Sequence, residues 1–80
     1  MNLYLISRKD GEWGYEWDYE AYDSAVVCAA SADDAIAMHP GGAEGHIRTW
    51  VPPNDVAVKF LGLAHPTVPR GVVCASFNAG

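Results

Sequence analysis

Eighty residues with ten acids and five bases make one small acidic domain, formal net charge −5. A chain this short buries only about 60% of its unfolded surface, enough for one core but hardly for a deep substrate cavity as well. The charge argues against direct nucleic-acid binding and against an anionic membrane, and it makes a basic protein surface the natural target.

Met1 to Ser7 reads as a first strand, with Leu3 and Leu5 on one face and Tyr4 and Ile6 on the other. Apolar residues on both faces predict a strand sheltered on both sides. No signal peptide or membrane span is expected, which places the protein in the cytoplasm. Arg8-Lys9-Asp10-Gly11 ends in Asp-Gly, a hairpin signal, and the following stretch is expected to fold back as the second arm.

That stretch, Glu12 to Asp23, is the most distinctive in the chain. Trp13, Tyr15, Trp17 and Tyr19 hold the odd positions; Glu12, Glu16, Asp18 and Glu20 hold even ones. An extended chain turns a period of two into two faces. One reading is an amphipathic arm whose rings cover a small core while its acids solvate it. The other is an acidic docking face for a basic partner, anchored by indoles. On the second reading the partner-binding residues are Glu12, Trp13, Glu16, Trp17, Asp18, Glu20 and Asp23. Both readings stay open at this point, as does a homodimer built on the aromatic face.

Asp23-Ser24 reads as a break before Ala25-Val26-Val27-Cys28-Ala29-Ala30, a buried strand. Ser31 is placed as the N-cap of a short helix with Asp33 and Asp34 in its first turn, where the helix dipole favours anions. Ala32, Ala35, Ile36 and His39 share one face of it, and Pro40-Gly41-Gly42 ends it. Residues 41–54 are expected to form a long loop with Ile47 and Trp50 tucked onto the core. Val56, Val58 and Phe60 alternate against Lys59 as a strand, and His65-Pro66-Thr67-Val68-Pro69 is a stiff connection. Gly71 to Phe77 is the last strand. Its Val72-Val73-Cys74-Ala75 repeats Val26-Val27-Cys28-Ala29, so the two strands are expected in similar buried environments, with both thiols buried and reduced.

The result is a single α+β domain over residues 1–80: a mainly antiparallel sheet of four to five strands with one short helix on a face. No enzyme is expected. His39, His46 and His65 share no metal-ligand spacing with each other or with Cys28 and Cys74, and no cofactor motif is present. His39 suits the negative end of the helix dipole.

Three blocks carry a family resemblance: Leu3-Tyr4-Leu5-Ile6-Ser7; Tyr22-Asp23-Ser24-Ala25-Val26-Val27 running into the short acidic helix and His39-Pro40; and Gly71-Val72-Val73-Cys74-Ala75-Ser76-Phe77-Asn78-Ala79-Gly80. Together they resemble small proteins of phages, prophages and gene-transfer elements, among them anti-CRISPR proteins directed at type I-C systems. The resemblance implies a protein that binds the RNA-guided surveillance complex, Cascade, in the host cytoplasm and blocks target-DNA binding. Since such a complex needs basic channels for RNA and DNA, a basic surface of a Cas protein or Cascade subunit is the partner expected for the acidic face. A small phage structural or self-assembling module is the alternative.

Overall fold

The computed structural model describes residues 1–9, 21–42 and 50–78. Four strands form one sheet in the order β3-β1-β2-β4: β1 (Asn2–Arg8), β2 (Ala21–Ala29), β3 (Val56–Leu63) and β4 (Gly71–Asn78). Every neighbouring pair is antiparallel. With helix α1 (Ala32–Ile36), this is a small α+β fold with four strands among the described residues. The expected second arm, residues 12–20, lies outside them. So do the Asp10-Gly11 turn, Ile47 and His46.

The register follows the apolar pattern. Ile6 faces Ala25 and Tyr4 faces Val27, so these four share one side of the central pair. They pack with Ala29, with Ala35 of α1, and with Trp50, Val51 and Val56 in one core. Trp50 is buried as its loop position predicted, although its indole Nε1 finds no acceptor among the described residues. The reverse side carries Leu3, Leu5 and Val26, all half-buried, so β1 is sheltered on both faces as expected of a central strand. Cys28, also on that side, is sealed off, its Sγ 3.7 Å from the Val68 carbonyl oxygen.

Helix α1 is capped as its residues dictate. Ser31 is extended (φ −156°), and its hydroxyl accepts the Asp34 N–H at 3.1 Å. Asp34 in turn reaches back to accept the Ala30 N–H at 3.0 Å, a capping box displaced by one residue. Five residues cannot hold a helix alone, so Ala35 in the core supplies the anchor. The helix stops at Ile36, and His39 therefore lies beyond it.

Three expectations need correcting. Asp23-Ser24 does not break the chain: β2 runs through it, and the register slips there because Tyr22 pairs Phe77 while Ser24 pairs Ser76. One extra residue is absorbed as a bulge that keeps Tyr22 against the core. The two Val-Val-Cys-Ala runs do not share an environment. In β2 Val27 and Cys28 are fully buried, whereas β4 is an edge strand with Val73 51% and Phe77 46% exposed. The thiols differ accordingly, Cys28 buried and Cys74 exposed, both free. Phe60, expected alongside Val56 and Val58, touches the Tyr4 ring edge-on at 5.8 Å but stays 56% exposed, because β3 is the other edge.

The segment 64–70 joins one edge of the sheet to the other. It must pass both central strands, roughly 14 Å at three strand spacings, within reach of seven residues. A turn closed by Val68 N–H on the His65 carbonyl (2.9 Å), with Pro66 at its second position, stiffens it. Gly71, at φ +132°, then swings the chain into β4 in a conformation that side-chain-bearing residues rarely adopt.

Candidate functional site

Six of the seven expected partner-binding residues, Glu12, Trp13, Glu16, Trp17, Asp18 and Glu20, lie outside the described residues. The structure does fix where their segment starts and ends. The chain leaves β1 after Arg8 and re-enters the sheet at Ala21 on the adjacent central strand, at the same end of the sheet. That end is stitched together. Lys9 donates its backbone N–H to the Asp55 carbonyl at 2.8 Å and its Nζ to the Asn54 carbonyl at 3.1 Å.

Asp23, the seventh residue, sits at the bulge in β2 with its carboxylate half-exposed. Arg8 Nη2 lies 3.1 Å from its Oδ1, and the Arg8 side chain is largely buried. Asp23 therefore has a cross-strand counter-charge that the sequence around it did not suggest. It marks the foot of the acidic segment, where its own charge is already balanced.

Charge divides sharply between scaffold and segment. The described residues hold four acids (Asp23, Asp33, Asp34 and Asp55) and four bases (Arg8, Lys9, Lys59 and Arg70). Residues 43–49 add Glu44 and Arg48, which cancel. The entire net charge of −5 thus resides in Asp10, Glu12, Glu16, Asp18 and Glu20, five carboxylates with no base among them. A neutral sheet carries one strongly acidic connection.

The second candidate is a cleft of about 450 Å³ between the end of α1, the 38–42 turn and the start of β4, lined by Met38, His39, Gly42, Arg70 and Val72 among others. Its polar groups are already engaged. Arg70 donates Nε to Asp34 Oδ2 at 2.9 Å and Nη2 to Asp34 Oδ1, a fork that ties β4 to the helix start. The hydrogen bonds from Arg70 and from the Ala30 N–H lower the Asp34 pKa from 3.8 to about 2. His39 Nδ1 accepts the Gly41 N–H at 2.8 Å, which leaves the ring proton on Nε2, and its ring meets Tyr22 edge-on at 5.7 Å. His39 is thus a turn residue packed on the sheet, in place of the dipole partner expected from its position. His65 likewise serves its own turn, its Nδ1 lying 2.8 Å from Thr67 Oγ1 and accepting the Thr67 N–H.

Among the described residues no three His, Cys, Asp or Glu side chains gather as metal ligands, and no helix is long and apolar enough to cross a membrane. The sequence offered no sign of the Asp34–Arg70 clasp, because its partners lie 36 residues apart. No family model matches the chain, and neither a curated protein nor a solved structure matches it.

Proposed function

We propose that this chain is a stoichiometric, non-enzymatic inhibitor that docks through the segment Glu12 to Asp23 onto a basic surface of a type I-C Cascade subunit and hinders target-DNA binding. The observation that carries this reading is the charge division: all of the net −5 falls in one connection, offered from a neutral scaffold. Solvation alone would be served by acids spread over the surface. Concentrated carboxylates interleaved with Trp and Tyr supply steering and anchors together.

Complexes that hold RNA and DNA need basic channels, since phosphate neutralisation dominates their affinity. Along a fully extended chain eleven residues reach about 40 Å, which spaces five carboxylates at about one per 8 Å. Duplex DNA presents one charge per about 1.7 Å. At several-fold lower density the segment acts as a local plug anchored by Trp13 or Trp17, in preference to a mimic of a long duplex. Pull-down with purified type I-C Cascade subunits, read alongside target-DNA binding, tests the reading. Capture by one subunit together with reduced DNA occupancy is expected; no capture at low salt overturns it.

A further inference from the structure

The outer edge of β4 is built like the interior of a sheet. Gly71–Asn78 contains no charge and no proline, and it repeats a tetrapeptide of which β2 buries Val27, Cys28 and Ala29 completely. Yet among the described residues nothing pairs with its outer side, and Val73, Cys74, Ala75, Ser76 and Phe77 are all exposed. Exposed edges are ordinarily guarded by lysine, proline or distortion. The opposite edge shows such guards: Lys59 stands mid-strand, the register slips between Leu3 and Tyr4, and Gly62 sits at φ +155°. β4 has one bulge, at Val73, and no other guard.

We propose that β4 is a self-association edge, pairing antiparallel with β4 of a second copy to extend the sheet across a two-fold axis. An uncharged edge is self-complementary, as an isologous contact requires. Charge selects the antiparallel arrangement. The acidic segment re-enters the sheet at Ala21, opposite Asn78, so it departs beside the C-terminal end of β4. Antiparallel copies join their two acidic segments to the sheet at opposite ends of an edge about 27 Å long, where a parallel pair would join them side by side. Area sets the strength. A strip about 27 Å long and about 10 Å deep covers a few hundred Å² per copy, below the roughly 800 Å² of a standard interface, so the dimer is weak and reversible. This proposal is independent of what the acidic segment binds.

Sedimentation equilibrium from about 1 μM to about 1 mM brackets such an interface. The average mass should climb from one chain toward two and stop there. Cys74→Lys places like charges beside the two-fold axis and should raise the dissociation constant at least about tenfold. Leu63→Lys, at an 80% exposed position on the other edge, should leave it unchanged. Circular dichroism checks that both variants fold. Should Cys74→Lys fail to fold, amide exchange on the wild type decides, with β4 protection expected to rise with concentration. A mass fixed at one chain, growth beyond two chains (pairing of β4 with β3), β4 protection independent of concentration, or equal sensitivity to Leu63→Lys would each overturn the proposal.

Discussion

Asp34 does two jobs with one carboxylate: it receives the Ala30 N–H, which closes the displaced capping box, and it holds Arg70. Its folded pKa is lowered to about 2 from an ordinary 3.8. A lowered carboxylate pKa contributes stability that is fully present above the unfolded value and lost as pH falls through the folded one. The wild type should therefore lose part of its stability between about pH 4 and pH 2. Asp34→Asn should flatten that part of the profile, which thermal melts across this range would reveal; identical profiles would remove the clasp from the account. The contribution is small because the pair is solvent-exposed. Ser31→Ala, which deletes the cap, should cost about 1 kcal/mol in urea denaturation.

The elements were legible wherever local chemistry specifies them. Ser31 with acids in the next turn marks a helix start, alternation marks β3, and Pro66 marks the turn at 65–68. Position in the sheet was not legible. Val26-Val27-Cys28-Ala29 and Val72-Val73-Cys74-Ala75 are both good strands by propensity, but only the crossing at 64–70 makes one central and the other an edge. Asp23-Ser24 reads as a break because polar residues interrupt the apolar run; the bulge and the Arg8 pair accommodate them, and neither is visible locally. Of the expected docking residues, Asp23 alone falls within the described structure, so for the site it is the charge pattern that was legible, and its counter-charge was not. The core hangs on the central strands. Ile6 is fully buried among Ala25, Val58 and their neighbours, so Ile6→Ala should cost about 2–5 kcal/mol. Denaturant titration measures this, and a loss under about 1 kcal/mol would mean that the core is organised elsewhere.

At the scale of the whole molecule, the sheet, helix and loops sum to zero charge, and the connection between β1 and β2 carries the rest. Exposed charges act over only about 8 Å at physiological ionic strength, so partner binding through this segment should weaken steeply with added salt. The most direct measurement compares wild type with the double variant Glu16→Lys, Asp18→Lys as inhibitors of target-DNA binding by purified type I-C Cascade, at low and high salt. The account predicts that the wild type lowers DNA occupancy, more at low salt, and that the folded double variant loses most of that effect and its salt sensitivity. Equal inhibition by both proteins, or no inhibition by the wild type at any salt, would contradict it.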